Sequence, residues 1–295
     1  MLFPVLNGLP LGKVLIRTVK EFIDDEMSTY ASALAYQMLF SLFPFILFLI
    51  ALIGFLHLPD FFTWLRLQSE LVLPPQALEQ VNPVIDQLQQ SKGGLLSVGI
   101  VIALWTASAG VRLMMSAMNA AYDVVEGRPI WKRFPLSIFY TIGIAGMLLA
   151  AAALMVLGPQ VMSWLAGQVG LEEFVVTLWT ILRWPVIVLL LMVAVAVMYY
   201  VMPDVEQKFR FITPGSVLAV VVWIVASLGF AFYVKTFADY NAMYGSIGAI
   251  IVLLLYFYIS AAVLLLGAEM NAVIEHMSAE GKDPGEKSFD EADVP

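Results

Sequence analysis

Long apolar runs alternate with short polar ones along this chain. Six of the apolar runs approach the roughly 20 residues that a helix needs to cross a bilayer core. They extend from about Ala31 to Leu56, Gly93 to Val111, Pro135 to Leu157, Trp184 to Met202, Ile212 to Val234 and Tyr244 to Gly267. The third is expected to end at a Gly-Pro break, Gly158-Pro159, and the fourth to carry Pro185 in its first turn, where a missing N–H costs little. The pattern predicts an all-α membrane protein of six transmembrane helices.

Between and before the spans the pattern is amphipathic. Over residues 12–26, Leu15, Val19, Phe22 and Ile23 oppose Lys13, Arg17, Lys20 and Asp24, which suits a helix lying on the cytoplasmic membrane surface. Residues 57–92 are expected to form two short amphipathic helices separated by "LPP", and residues 159–183 an interfacial hairpin. These outer loops either cap a cavity or rest on headgroups. The segment before the first span, "FIDDEMSTY", carries acids where a signal peptide has a basic leader, so the first span is expected to remain in the mature protein. The organisation expected is an N-terminal interfacial helix in residues 1–30, a six-helix transmembrane domain over 31–276, and a disordered acidic tail over 277–295.

Composition agrees with this reading. Of 295 residues 61% are hydrophobic and 13% charged, with a mean hydropathy of +0.88, against roughly 45 to 50% apolar usage in soluble domains. There are no cysteines, which removes disulfides, thiolate metal sites and cysteine nucleophiles. The net charge of −8 leaves no electrostatic footprint for nucleic acid. With six spans, ten lysines and arginines (Lys13, Arg17, Lys20, Arg128, Lys132, Arg133, Lys208, Arg210, Lys282 and Lys287) fall on the side of the termini. The opposite side holds Arg66, Lys92 and Lys235, with Arg183 at the edge of a span. Basic residues concentrate on the cytoplasmic side, so both termini are expected there.

Chemistry is best sought where polar groups sit inside apolar helices, since an arginine at mid-helix costs about 2.5 to 3.5 kcal/mol. At 100° per residue, Trp105, Ser108, Arg112, Ser116, Asn119 and Asp123 of the second span share one stripe. The stripe lines a cytoplasm-facing cavity in which Arg112 binds an anion or headgroup, or it faces other helices and Arg112 pairs with Asp123 or Glu269. In the first span Tyr30, Ala33, Gln37, Ser41 and Pro44 share a face. Pro44 is expected to kink that helix, and Gln37 and Ser41 to satisfy the backbone it frees. That face either lines a cavity with Gln37 toward Arg112 or simply packs.

Small residues at 106–110, at Gly143 and Gly146 and over "YGSIGA" mark close helix packing. In the last span Asn271 continues the small-residue side, while Glu269 points about 160° from Gly267, so the two are expected to serve different neighbours. Glu269 is expected near the cytoplasmic boundary, in a helix-tying pair with an arginine. The residues predict no catalytic group, metal site or cofactor.

Four blocks in order, "ASALAYQMLFSLFPFILFL", "WTASAGVRLMMSAMNAAYDVVEGRP", "YYVMPD" and "YNAMYGSIGAIIVLLLYFYISAAVLLLGAEMNA", resemble the YihY/BrkB family of bacterial inner-membrane proteins. The resemblance runs from about Thr18 to His276. Ala109 departs from it where many relatives have an arginine, which leaves Arg112 as the basic group of that segment. "LLYFY" departs from it where a tryptophan is common. The family implies six transmembrane helices in a bacterial inner membrane and no agreed catalytic residues. Some relatives are labelled ribonuclease BN. A zinc nuclease needs clustered ligands, whereas the two histidines, His57 and His276, are expected on opposite sides of the membrane.

These readings favour a transporter or translocator of an anionic lipid or small anion, with Arg112, Ser108, Ser116, Asn119 and Gln37 as candidate substrate ligands. Glu269, Asp123 and Asn271 are candidate helix ties. The alternatives are a non-transporting scaffold or envelope-assembly partner and, with no nucleophile–base pair or HExxH in view, an intramembrane enzyme. Membrane lipids are the partners expected.

Overall fold

A computed structural model of the chain describes residues 10–55, 93–169, 172–205, 211–236 and 240–277. Its described residues form seven α-helices, without strands: α1 (Leu11–Asp24), α2 (Met27–Phe55), α3 (Gly93–Ala121), α4 (Ile130–Val169), α5 (Glu172–Val201), α6 (Pro214–Thr236) and α7 (Tyr240–Met277). The expected helices of 57–92 and the tail after Met277 lie outside the described residues. Among the described residues, five stretches are long and apolar enough to cross a membrane: Val101–Ala121, Ile130–Ala151, Thr177–Val201, Pro214–Lys235 and Ile250–Met277. The expected first span falls on α2, a continuous helix with Pro44 inside it. The chain packs as two units, residues 37–109 and the remainder.

Two sequence expectations about proline are corrected. The helix that begins at Ile130 does not stop at Gly158-Pro159 but continues to Val169, 40 residues in all. Pro185 lies well inside α5 and not in its first turn, because that helix starts at Glu172. An interior proline removes one hydrogen bond and bends a helix more readily than it ends one. The described part of the segment 159–183, expected as an interfacial hairpin, is made up of the ends of these two long helices. At about 1.5 Å per residue α4 is about 60 Å long, twice the roughly 30 Å of a bilayer core.

The larger unit inverts the soluble-protein pattern. Its core is rich in small and flexible side chains: Ala31, Ala117, Ala121, Ala219, Ala261, Ala268, Ala272, and the methionines Met27, Met114, Met115, Met118 and Met202. Large apolar residues face outward, as on α6, where Val221, Val225, Leu228 and Phe232 recur at helical spacing and are exposed. Small residues permit the backbone approach by which helices associate in lipid.

The closest approach joins α6 to α7. A Cβ on Gly215 would meet the Gly267 carbonyl, and one on Gly267 would meet the Tyr199 hydroxyl and the Gly215 carbonyl, so neither position has room for a side chain. "TPGS" starts α6 there. Thr213 and Ser216 cap each other reciprocally, Ser216 N donating to Thr213 Oγ1 (3.1 Å) and Thr213 N to Ser216 Oγ (3.0 Å), with Pro214 at the first helical position. Asn271 of α7 completes the junction. Its Oδ1 accepts from Gly215 N (2.9 Å) and its Nδ2 donates to Thr213 Oγ1 (3.0 Å).

Helix α1 docks on α7 through a narrow edge. Val14, fully buried, packs with Met270, Val273 and Ile274. Leu15, Ile16, Val19 and Ile23 are left exposed on the neighbouring face. Three of the four apolar residues that the sequence pattern sets on this face, Leu15, Val19 and Ile23, are exposed, whereas the fourth, Phe22, packs against the core.

Candidate functional site

The polar groups of the larger unit gather at the ends of helices in two constellations, and the end of α3 contributes to both. Helix α3 closes after Ala121 with a left-handed cap. Asp123 has φ 57°, Asp123 N donates to Ala120 O (2.9 Å) and Val124 N reaches back to Asn119 O (2.9 Å), a Schellman closure built on an aspartate instead of a glycine. The predicted stripe on α3 therefore ends at Asn119. Asp123 leaves it because its backbone is no longer helical, and this corrects the expectation of a single arc from Trp105 to Asp123.

The first constellation is a knot of compensated charge. Arg128 holds Glu126 with three hydrogen bonds, Nε to Oε1 (2.6 Å), Nη2 to Oε2 (3.1 Å) and its backbone N to Oε1 (3.2 Å), and Nη2 also donates to Met202 O (2.8 Å). Arg128 Nε lies 3.5 Å from Asp204 Oδ1, and Arg133 Nε lies 3.3 Å from Glu126 Oε2. Asn119, buried, donates from Nδ2 to Glu126 Oε2 (3.1 Å) and accepts the Asp204 N–H at Oδ1 (2.7 Å). Gly127 N donates to Asp204 Oδ2 (2.8 Å). Burial works to raise the Glu126 carboxyl, but the hydrogen bonds and charge of Arg128, with the charge of Arg133, outweigh it and hold Glu126 below the usual carboxylate range.

Arg112 lies above this knot on the same helix. Its Nη1 donates to the buried Ser137 Oγ (3.0 Å), and its guanidinium sits 4.3 Å from the Phe134 ring centroid. Ser116 accepts from Arg133 Nη2, which also donates to Arg112 O (2.8 Å). Of the predicted substrate ligands, Ser116 and Asn119 are thus engaged by Arg133, Glu126 and Asp204. Ser108 and Gln37 belong to the smaller unit. Ser108 is fully buried and donates to Trp105 O (2.9 Å), and Gln37 Nε2 donates to Thr106 O (2.8 Å). Ser41 donates to Met38 O (3.1 Å), not to the carbonyl of residue 40 that Pro44 deprives of its usual donor.

The second constellation surrounds Glu269, which is 1% exposed and, among the described residues, the only buried acid. It faces a small cleft together with Glu21 and Asp25 at the end of α1, Asp123 after α3, and His276 of α7. The arginine partner expected for Glu269 is not formed: neither carboxylate oxygen meets a hydrogen-bond partner among the described residues. The reason is its direction along α7, which turns it toward acids while Asn271 turns to the start of α6.

Sequence reading used Glu126, Arg128, Arg133 and Asp204 for topology at most, although "EGRP" and "MPD" stand within the blocks that carry the family resemblance. It also missed Glu21 and Asp25 beside Glu269, for which no local signal exists. Among the described residues, no three His, Cys, Asp or Glu side chains are grouped so as to hold a metal ion.

Residues 18–291 match the family described as "Virulence factor BrkB". The chain is 38% identical over 250 residues to the ribonuclease-like protein YfkH of Bacillus subtilis, covering 84% of this chain and 90% of that one. It is 27% identical over 263 residues to the UPF0761 membrane protein Smlt0865 of Stenotrophomonas maltophilia, and 27% identical over 258 residues to the UPF0761 membrane protein xcc-b100_3490 of Xanthomonas campestris. In both comparisons 85% of this chain is matched, and the match spans 58% of the relative's length. No solved structure matches the chain. The match over residues 18–291 places this chain in the BrkB family, and its long apolar helices agree with the membrane proteins among its relatives.

Proposed function

We propose that this protein is a transporter or lipid translocator of the bacterial inner membrane, with both termini cytoplasmic, and that Arg112 is the contact for an anionic group. The observation that carries this reading is Arg112 itself, a guanidinium partway along the apolar stretch Val101–Ala121, in contact with a neutral serine and the face of a phenylalanine. Ionisable groups at such depth are costly and tend to mark substrate or ion pathways. A guanidinium offers a planar, permanently charged fork suited to phosphate or carboxylate.

The experiment is reconstitution into liposomes containing phosphatidylglycerol, with lipid movement between leaflets and anion efflux measured separately. Arg112→Ala should lower one of these at least tenfold, and Arg112→Lys less, with both variants inserting normally. Equal rates for wild type and Arg112→Ala would reject the reading.

A second reading, a non-transporting membrane scaffold, is favoured by the knot. Ser116 and Asn119 spend their hydrogen bonds on protein groups. It predicts that no liposome assay distinguishes protein from empty vesicles.

A further inference from the structure

The cleft around Glu269 is built from like charges. Glu21 and Asp25 reach it from α1, Asp123 from the cap of α3, and Glu269 and His276 from α7. Glu21 is compensated close by, since Arg17 Nε donates to Glu21 Oε1 at 2.6 Å. Glu269 is different. Its side chain is buried, lines the cleft, and presents two oxygens to which no described residue donates. The cleft between the groups is narrow.

An ionised carboxylate needs several donors or a cation, and a buried one left without them is among the costliest groups a protein can hold. The described acids and histidine are not grouped to hold a metal ion. A proton needs no cavity of its own and neutralises the carboxylate directly. We propose that this cleft is a proton-binding site, with Glu269 the group that takes the proton, and that its occupancy controls the docking of α1. Protonated Glu269 is neutral and can donate its own hydrogen toward a neighbouring carboxylate. Losing that proton adds a negative charge opposite Glu21, Asp25 and Asp123.

The apolar contact that holds α1 joins Val14 to Met270, Val273 and Ile274 and Phe22 to the main core, and added repulsion beside it works against that docking. Release would expose Val14 and carry Glu21 and Asp25 away with the helix. His276 is the other titrating group in the cleft, and its cationic form would relieve the same repulsion. This inference does not depend on Arg112 or on transport.

The chain has no cysteine, so a single spin label at Ile16→Cys, on the exposed face of α1, reports docking in the full-length protein in nanodiscs. Label mobility is followed from acid to alkaline pH, alongside infrared difference spectra in the protonated-carboxyl region. Wild type should mobilise the label as pH rises while a protonated-carboxyl band disappears. Glu269→Gln should lose both changes and keep α1 docked throughout. Asp123→Asn, which keeps Glu269, should move the transition to lower pH by about one unit, because one repelling charge is gone. His276→Gln should retain the carboxyl band. A wild type with no protonated-carboxyl band overturns the proposal, as does a transition unchanged in Glu269→Gln or abolished by His276→Gln alone. Liposome rates altered by Arg112→Ala with this transition intact would separate the two proposals.

Discussion

Asn119 and Asp123 stand four positions apart at the end of α3, yet they serve opposite kinds of site. Asn119 enters a knot in which Glu126, Arg128, Arg133 and Asp204 alternate in sign and each named contact is a donor meeting an acceptor or a cation meeting an anion. Asp123 enters a cleft where carboxylates gather around a buried Glu269 that has no donor. The knot gains stability from its charges, and the cleft sacrifices some. Folding alone explains the first arrangement. The second is expected only where a group must change its state, which is why the proton site is assigned there and not at the knot.

The comparison breaks most visibly if charge removal has the same effect in both places. Arg128→Ala removes two charge-assisted hydrogen bonds to Glu126 and the donor to Met202 O, so it should lower stability by about 2 to 3 kcal/mol, the range for losing charge-assisted hydrogen bonds. The thermal midpoint of the purified protein in detergent is the measurement. Glu269→Gln should instead leave that midpoint unchanged or raise it, most clearly at alkaline pH. A loss on the scale of Arg128→Ala would make Glu269 a structural member like the knot acids.

Acid titration sharpens the same contrast. The folded state holds Glu126 below its ordinary range, so its contribution is complete above the unfolded value of about 4.3 and is lost as pH falls through the lower folded value. Glu126→Gln should therefore cost about 1 kcal/mol at pH 7, and the deficit should shrink as pH falls below about 4.3. A deficit that does not shrink in acid would assign the loss to geometry and not to charge.

How much of this was legible beforehand depended on sequence distance. Spans and interfacial helix follow from local periodicity, and the structure has helices where the apolar runs stand. The stripe on α3 was legible as far as Asn119 because 100° steps hold only while the backbone is helical. It failed at Asp123, whose left-handed φ belongs to a cap that a glycine would have announced. Pro159 and Pro185 misled for the opposite reason, since proline reads as a boundary in short helices and long helices absorb it. The surroundings of Glu269 were not legible at all. Glu21 and Asp25 lie some 250 positions earlier, and only the docking of α1 on α7 brings them near.

The last test concerns the backbone that delivers these acids. Among the described residues, two that are not glycine have positive φ, Asp123 at 57°, which lines the cleft, and Glu26 at 52°, which follows the cleft residue Asp25. Aspartate tolerates the left-handed region comparatively well, whereas glutamate there costs about 1 kcal/mol. Glu26 follows Asp25 in the turn closed by Glu26 N donating to Ile23 O (3.1 Å), so the turn fixes where Asp25 points. Glu26→Gly removes that strain but also frees the unfolded chain, and the two effects partly cancel. The expected outcome is a gain of about 0.5 kcal/mol or less in thermal stability, with the pH at which α1 undocks unchanged. A large shift in that pH would mean that Glu26 takes part in the cleft electrostatically and is more than the hinge that places Asp25.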